Sequence, residues 1–284
     1  MKIGLECIPC FVRQAFEAAS SVTNDQKIKE RILRQVLARL SNESFDNAPP
    51  FIGGDIHRIV RLLSGNNDPY LDIKEDSNTV ALKLMPSLKK LIKSSADPFE
   101  TAVRMAIAGN IIDCGQGDHV SEEKIKKTIS QCLDQPVSKD TINELKEEIE
   151  KASNILYLGD NAGEVFFDRL LIKELQGYPI TFVVRGAPII NDALRDDARM
   201  AGLDKLVAVV DNGSDVPGTI LEECSEEFKR LFFEADLVIA KGQGNYETLS
   251  EEKKKTFFLL KVKCPVIAQD IGCQEGDMAI VRKG

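Results

Sequence analysis

The sequence contains only two histidines, His57 and His119, and they are far apart in the chain. His57 lies among apolar residues of a predicted helix, where packing is the simpler role for an imidazole. His119 follows Gly117 and Asp118 in a predicted loop or helix start. The sequence therefore gives little support to a catalytic triad that is centred on a histidine.

Long apolar runs are also missing. The longest, such as Ile155 to Leu158 and Leu237 to Ala240, are far shorter than the roughly 20 residues that cross a bilayer. The opening MKIGLECIPC places a glutamate and two cysteines where a secretory signal has an unbroken apolar core. Seven cysteines, an odd number, indicate free thiols in a reducing compartment. We therefore expect a cytoplasmic protein without a membrane partner.

The chain lacks an excess of positive charge. Its 37 Lys and Arg residues against 45 Asp and Glu residues give a net charge of −8. The parts before and after residue 150 carry −3 (20 minus 23) and −5 (17 minus 22). Nucleic-acid binding needs a basic surface, so we expect no nucleic-acid partner. The 284 residues, 43% of them hydrophobic and 29% charged, have the composition of a globular protein.

A second cysteine pair that would complete a structural zinc site is missing near Cys7 and Cys10, which form a C-x-x-C motif. A thioredoxin-type motif follows a strand in a βαβ unit, whereas this one precedes predicted helices. We expect a buried pair with a structural role. A metal half-site and a redox pair are the alternatives.

The pattern of apolar residues changes near residue 150. Before it, spacings of one to four residues predict helices, as for Ile28, Ile32 and Val36. Asp97 followed by Pro98 predicts a capped helix start. The predicted helical segments are 8–20, 26–40, 54–64, 79–93, 98–112, 121–133 and 139–152, and Pro86 is expected to kink or split its segment.

After residue 153, short β-rich runs alternate with helical ones, as is typical of a parallel sheet covered on both faces. The predicted strands are Asn154 to Leu158, Ile180 to Val184, Leu206 to Val210, Leu237 to Ala240, Val266 to Ala268 and, as the last, Met278 to Val281. We therefore predict an N-terminal helical domain over 1–150 and an α/β domain over 151–284. The latter should be a doubly wound, mostly parallel sheet in a three-layer α/β/α arrangement.

Ligands of such a sheet bind beyond the carboxyl ends of the strands. Four predicted strand ends carry unusual loops, which are GDNAGE (159–164), RGAPIIND (185–192), DNGSD (211–215) and KGQGNYE (241–247). Asp160, Asn161 and Asp192 form an oxygen-rich set without a nearby histidine or cysteine, which suits Mg²⁺ or Mn²⁺. Lys241 adds a positive charge, and the backbone near Gly242 suits an anion. Asp160 alone also fits a helix N-cap, but the combination favours phosphate chemistry.

Other functions remain open at this point. Gly242-Gln243-Gly244 resembles the start of a dinucleotide loop, but Glu247 occupies the third glycine position and the loop follows the fourth predicted strand. Asp160-Asn161-Ala162 is not the D-x-D of phosphatases that form a phospho-aspartate. The alternatives are a non-catalytic phospho-ligand or nucleotide-binding protein and an S-adenosylmethionine-dependent methyltransferase.

The motifs GDNAGE, RGAPIINDA and AKGQGNYE, with AGNIIDCG in the helical half, resemble those of the damage-control phosphatases, the metal-dependent family of domain of unknown function 89. The early C-x-x-C is similar to the compact prokaryotic and archaeal branch. The resemblance covers nearly the whole chain. It implies hydrolysis of small phosphorylated metabolites, such as sugar phosphates or damaged cofactor precursors.

The resemblance also implies roles for individual residues. Asp160, Asn161 and Asp192 would bind a divalent metal ion (Mn²⁺, Mg²⁺, Ni²⁺ or Co²⁺), and Glu164 would lie beside the substrate or a metal-bound water. Lys241 would face the phosphate in the K-G-x-x-N-Y stretch, which includes Gly242 and Asn245. Lys261 or Lys263 in FFLLKVKCP resembles a later lysine motif, although the R-T-x-K form of the eukaryotic branch is absent. Asn110 and Asp113 would close over the pocket from the helical half.

The mechanism that we infer is phosphomonoester hydrolysis. The metal would polarise a phosphoryl oxygen, and lysines would offset charge on the equatorial oxygens. Asp192 or Glu164 would orient the attacking water. The physiological substrate, the preferred metal and the oligomeric state are not encoded in any pattern of the sequence that we find.

Overall fold

The computed structural model describes residues 1–112, 127, 129–131 and 133–284. Asp113, Cys114, His119 and Cys132 lie outside the described residues, so the role of Asp113 remains a prediction. Most of the helix predicted over 121–133 lies outside them as well. No helix in the described part of the chain is both long enough and apolar enough to cross a membrane.

The N-terminal part is built of helices, and the capped start predicted at Asp97 is confirmed. The side chain of Asp25 accepts a hydrogen bond from the Lys27 backbone, and that of Asp97 accepts one from Glu100. The helices are α1 (Cys7–Val22), α2 (Gln26–Leu40), α3 (Pro49–Ser64), α4 (Leu71–Ser94) and α5 (Pro98–Ala108). A 3-10 turn over Gly109–Ile112 follows α5.

Helices and strands alternate in the remainder of the chain. The elements are α6 (Lys139–Lys151), β1 (Ile155–Leu158), α7 (Glu164–Glu174), β2 (Ile180–Val184), α8 (Arg195–Ala201), β3 (Ala208–Asp211), α9 (Glu226–Glu234), β4 (Leu237–Lys241), α10 (Gly242–Leu249), β5 (Thr256–Lys261), α11 (Pro265–Ile271) and β6 (Met278–Lys283). This alternation confirms the predicted α/β class.

The sheet has the order β3-β2-β1-β4-β5-β6. Strands β1 to β5 are parallel, and β6 is antiparallel to β5. Leu158 of β1 pairs with Val183 of β2 and Ala240 of β4, so these strands end at the same level. The chain reverses its winding between β1 and β4, and ligands bind at such a switch point in open α/β sheets.

Two predicted features of the chain are wrong. Val266 to Ala268 is not a strand but part of α11, because Pro265 fits the first position of a helix. The fifth strand is Thr256–Lys261, which the sequence analysis did not identify. Pro86 does not split its helix, since α4 continues through it. Pro86 lies on the exposed side of α4, where solvent can reach the carbonyl that loses its helical donor.

The hydrophobic residues form three clusters. Ile155 and Tyr157 of β1 face a core shared with helices α4 to α8, and Leu156 and Leu158 face a second core beneath α9 to α11. This alternation is the period-2 pattern of a strand between two layers. Helices α1 to α3 enclose a third cluster, which includes Phe11, Ile32, Ile52 and Val60.

The change of sequence pattern near residue 150 falls inside a continuous core. Ile149 of α6 and Ile155 of β1 belong to the same cluster, together with residues of α4 and α5. Helices α4 and α5 therefore cover one face of the sheet and place their ends near its switch point. The division into domains 1–150 and 151–284 remains a prediction.

Glu247 of α10 makes stability dependent on pH. Burial raises its pKa to about 7, although the hydrogen bond from Gln243 opposes the shift. The unfolded chain loses this proton near pH 4.5. Because the folded state binds more protons between these values, the free energy of unfolding should fall as pH rises from about 5 to about 8. Glu247→Gln should flatten this dependence, as measured by urea unfolding across that range.

Glu234→Gln is the control, because Glu234 is exposed at the end of α9. It should retain the wild-type dependence on pH. Identical pH dependence in the wild type and Glu247→Gln would contradict the assignment.

Candidate functional site

The loops that follow β1 and β2 are joined by backbone hydrogen bonds. Ala193 donates to the carbonyl of Asp160, and Ala162 donates to the carbonyl of Asn191, each at 2.8 Å. The two loops thus run antiparallel to each other over a single isolated bridge. They bring together the three residues predicted to bind a metal, which are Asp160, Asn161 and Asp192.

Two carboxamides next to these acids have fixed orientations. Nδ2 of Asn161 donates to Oδ2 of Asp160 and to Oε2 of Glu164, both at 3.1 Å. Nδ2 of Asn110 donates to the same two oxygens at 3.3 and 2.9 Å. Since both amino groups are held by acids, the carboxamide oxygens point elsewhere. Within the described residues, buried Oδ1 of Asn110 has no hydrogen-bond partner.

The 3-10 turn after α5 reaches the site because Gly109 has no side chain. A Cβ at Gly109 would lie 2.8 Å from Cβ of Phe167 on α7. This close approach lets Asn110, which is predicted to bind substrate, contact Asp160 and Glu164 from the helical part of the chain.

The surroundings of Asp160 disfavour the negatively charged form of its side chain. Burial raises its pKa well above the usual range, and the nearby carboxylates of Glu164 and Asp192 raise it further. The positive charges of Arg185 and Lys263 oppose this shift. Asp160 is therefore a group whose charge a bound cation would stabilise.

Arg185 supplies a buried positive charge at the end of β2. Its Nε donates to Oδ2 of Asp192 at 2.6 Å, and its Nη2 lies 3.8 Å from Oδ1 of Asp160. Its Nη1 is 3.4 Å from Oγ1 of Thr219. In the sequence, Arg185 is notable only as the first residue of the loop RGAPIIND. Its position directly after a predicted strand was the one signal that it could lie at the site.

Lys241 lies in a buried ion cluster. Its Nζ donates to Glu164 Oε1 at 2.5 Å, to Asp168 Oδ1 at 2.7 Å and to the carbonyl of Ala106 at 2.7 Å. An ammonium group has three donors, so all of them are used. Burial lowers the pKa of Lys241, but Asp168 and Glu164 raise it by more, which keeps the side chain charged.

Asp168 was not identified from the sequence. It lies one helical turn after Glu164 on α7, and that spacing was the available signal. Burial raises its pKa to about 6, against the opposing charge of Lys241. The hydroxyl of Tyr157 donates to Asp168 Oδ1 at 2.8 Å. Asp168 and Glu164 thus hold Lys241 together, from consecutive turns of α7.

Gly242 and Asn245 hold the start of α10 against the site. Gly242 has φ +79°, and a Cβ there would lie 1.9 Å from Oδ2 of Asp160. Nδ2 of Asn245 donates to the carbonyls of Lys241 and Gly159 at 2.8 and 3.3 Å. Both residues were predicted to bind substrate, and the structure places Asn245 fully buried as a bridge between strand ends.

The two candidate lysines near the end of β5 differ in position. Lys261 is the half-buried last residue of the strand. Lys263 is exposed, and its charge lowers the pKa of Asp160. The backbone of Lys263 also donates to Oε1 of Gln243 in the glycine loop at 3.2 Å. The structure thus brings Lys263 within electrostatic range of the predicted metal ligands.

Asn78 of α4 supports the first loop from the helical part. Its Oδ1 accepts a hydrogen bond from Gly163 at 2.7 Å, and its Nδ2 donates to Asp197 at 2.6 Å. Asp197 in turn accepts from the backbone of Leu194, at the start of α8. No pattern in the sequence identified Asn78, because its partners lie far along the chain.

Ile190 has a strained backbone. Its φ of +43° lies in the left-handed region, which a β-branched residue rarely adopts. Such a conformation costs about 1–3 kcal/mol and is found mostly at functional sites. Ile190 precedes Asn191 and Asp192, so the strain lies in the loop that carries one of the predicted metal ligands.

The buried charges of the site do not balance. Four carboxylates face two cations; the carboxylates are Asp160, Glu164, Asp168 and Asp192, and the cations are Arg185 and Lys241. Their formal sum is an excess of two negative charges, and burying unpaired charge is costly. The described residues contain no group of three or more His, Cys, Asp or Glu side chains arranged to hold a metal. The fit to a divalent cation therefore depends on two carboxylates with a carboxamide.

Cys7 and His57 lie away from this cluster. Cys7 is half-buried and Cys10 is exposed, and both are free thiols. The expected buried pair is therefore wrong for Cys10, which α1 directs to solvent. Burial lowers the pKa of His57 to about 3, and Gln14 lies 3.3 Å from its Nε2, which agrees with a packing role.

The fold and the site define a doubly wound α/β protein with an acid-rich cluster at the switch point of its sheet. The damage-control phosphatase ARMT1-like domain matches residues 3–279. The chain belongs to this family, also called domain of unknown function 89.

Individual relatives match over their whole length. The chain is 38% identical to a damage-control phosphatase of Archaeoglobus fulgidus, with 98% of each chain covered. It is 37% identical to one of Pyrococcus horikoshii, over 99% of this chain and 98% of that one. The crystal structure of a DUF89 family protein from Pyrococcus horikoshii covers 100% of both chains with a TM-score of 0.91 and 35% identity.

Gly242→Ala should destabilise the protein by clearly more than about 1 kcal/mol, because the new Cβ meets Asp160 in addition to the strain of a positive φ. Urea unfolding followed by circular dichroism measures the effect. Gly65→Ala is the matched control, since Gly65 has φ +72° with nothing within 4 Å. Gly65→Ala should lower the free energy of unfolding only by the cost of placing alanine at a positive φ. Equal losses in the two variants would contradict the contact with Asp160.

Proposed function

We propose that this chain is a divalent-metal-dependent phosphatase that hydrolyses phosphomonoesters of small metabolites. The single observation that carries the proposal is the buried excess of negative charge at Asp160, Asp192 and Glu164, at the switch point of the sheet. Membership of the damage-control phosphatase family supports the reaction class.

Asp160, Asn161 and Asp192 would hold the metal ion. Their oxygens are the ligand type that Mg²⁺ and Mn²⁺ prefer, and the charge of the buried cluster suits a divalent ion. When bound, the metal would supply Lewis-acid activation of a phosphoryl group. These residues would be held in place before a metal binds. Backbone hydrogen bonds join the loops that carry them, and the carboxylates of Asp160 and Glu164 fix the amide of Asn161.

We assign Glu164 to positioning. Its Oε1 accepts from Lys241 and its Oε2 from Asn110 and Asn161, so three donors already hold this carboxylate. A carboxylate that three donors hold is fixed in orientation. We therefore propose that Glu164 fixes the positions of Lys241, Asn110 and Asn161 beside the predicted metal ligands.

We assign phosphate recognition to Lys263. Lys241 uses its three donors within the protein, whereas Lys263 is exposed and acts on Asp160 through its charge. A lysine at this edge offsets the charge of a phosphate dianion. Lys241 serves the reaction indirectly by holding Glu164 and Asp168 in place.

Purified protein should hydrolyse p-nitrophenyl phosphate when Mn²⁺, Co²⁺, Ni²⁺ or Mg²⁺ is added, and it should lose activity after exhaustive chelation. The physical reason is that the buried carboxylates need a cation before they tolerate a phosphate dianion. Release of p-nitrophenolate measures the rate. Full activity after chelation would exclude the metal.

Asp160→Ala and Asp192→Ala should abolish turnover while circular dichroism shows a folded protein. Near-normal rates in both variants would place the site elsewhere. Phosphate-ester binding by calorimetry, without release of phosphate from a panel of metabolites, would instead favour a non-catalytic binding protein.

Lys263→Met should lower kcat/KM by at least about tenfold, because a hydrogen bond to a charged group contributes about 1.5–3 kcal/mol. The free energy of unfolding should not change, since Lys263 is exposed. Lys253→Met, at another exposed lysine, is the control for general charge. A normal kcat/KM in Lys263→Met would contradict the assignment.

Lys241→Met should instead lower the free energy of unfolding by about 3–5 kcal/mol, because it leaves two buried carboxylates without their cation. Wild-type stability of this variant, measured by urea unfolding, would contradict the role of Lys241 in the buried cluster.

A further inference from the structure

We propose that Arg185 is a positioning residue that orients Asp192 and offsets the charge of Asp160 before a divalent cation binds. The inference rests on the proposed function, since it concerns the same metal site. It adds a residue for which neither the sequence motifs nor the family resemblance implied a role.

The contact with Asp192 is short and charged at both ends. Nε of Arg185 donates to Oδ2 of Asp192 at 2.6 Å, and the arginine side chain is only 1% exposed. Charge-assisted hydrogen bonds of this kind are the strongest in proteins and fix the orientation of both groups. Arg185 thereby sets the direction in which the Asp192 carboxylate faces.

The contact with Asp160 differs in kind. Nη2 of Arg185 lies 3.8 Å from Oδ1 of Asp160, which is beyond hydrogen-bond distance. Arg185 therefore acts on Asp160 through its charge alone. The guanidinium group thus interacts with both predicted carboxylate ligands, with Asp192 by a hydrogen bond and with Asp160 by charge over a longer distance.

The backbone and the Nη1 atom of Arg185 are held by residues that follow the strands of the sheet. Its backbone donates to the carbonyl of Ala193 at 3.0 Å, and its Nη1 faces Thr219, whose hydroxyl donates to Asn245 at 2.7 Å. Ala193 and Thr219 lie in the loops after β2 and β3, and Asn245 lies in the first turn of α10, directly after β4. The guanidinium position is consequently set by strand ends, which are more rigid than a free loop.

The remaining donor of the guanidinium group points to function. Nη2 is buried, and it has no hydrogen-bond partner in the described part of the chain. A stability-driven arrangement would satisfy this donor. Its position beside Asp160 indicates that the arginine is placed for the charge of the site.

Lys241 cannot replace Arg185 in this role. Its three donors are taken by Glu164, Asp168 and the carbonyl of Ala106. Lys241 therefore pairs with Glu164 and Asp168. Arg185 pairs with the predicted metal ligands Asp192 and Asp160.

The test is Mn²⁺ binding to the full chain by titration calorimetry in the absence of substrate, for the wild type and Arg185→Met. Loss of a group that orients metal ligands costs about 10–100-fold in metal affinity. We expect a rise of that size in the Mn²⁺ dissociation constant. A purely structural arginine would lower the unfolding midpoint without changing the affinity of the folded protein.

Arg199→Met is the matched control, because Arg199 is exposed and pairs only with the exposed Asp196. It should bind Mn²⁺ like the wild type. Arg185→Lys keeps the charge but loses the guanidinium geometry, and it should also bind at least about tenfold more weakly. The Mn²⁺ affinity of Arg185→Lys tests the role of Arg185 if Arg185→Met fails to fold.

Unchanged or tighter Mn²⁺ binding in a folded Arg185 variant would overturn the inference, and tighter binding would show that Arg185 only repels the cation. Such a result leaves the proposed function intact, because the wild type still binds metal and hydrolyses phosphomonoesters. A wild type that binds no divalent metal would refute both.

Discussion

An excess of buried negative charge is the constraint on which the rest of this structure depends. Asp160 and Asp192 lie at the ends of adjacent strands, and backbone bonds between their loops prevent them from moving apart. Arg185 and Lys241 compensate part of this charge, and the formal remainder equals that of one divalent cation. Gly242 lets the backbone come close to Asp160, and the strained Ile190 lies in the loop that carries Asp192.

The helical part of the chain is necessary for this arrangement. Asn110 after α5 donates to Asp160 and Glu164, and Asn78 of α4 holds the first loop at Gly163. Arg61 of α3 donates to the carbonyl of Pro188 in the second loop at 2.8 Å. A phosphate site at the end of the sheet would thus be completed by residues that come from three different helices.

Local patterns predicted most of the fold, and they failed where two local signals conflicted. β1, β2 and β4 are mostly apolar and almost entirely buried, so their runs identified them. The run Val266 to Ala268 has the composition of a strand, but Pro265 starts a helix there. The true fifth strand was missed because the charged residues before Thr256 resemble a helix end, and its pairing partners are remote in the chain.

By itself, the sequence determined the α/β class, the strand-end loops and the acids and carboxamides that they carry, since these depend on residues close together in the chain. Only the tertiary structure decided how those groups share charge. It buried Lys241 between Glu164 and Asp168, brought Lys263 towards Asp160, and placed Arg185 against Asp192. Whether a lysine or an arginine faces solvent, ligand or a buried acid depends on which distant segments surround it, and spacing along the chain does not specify those neighbours.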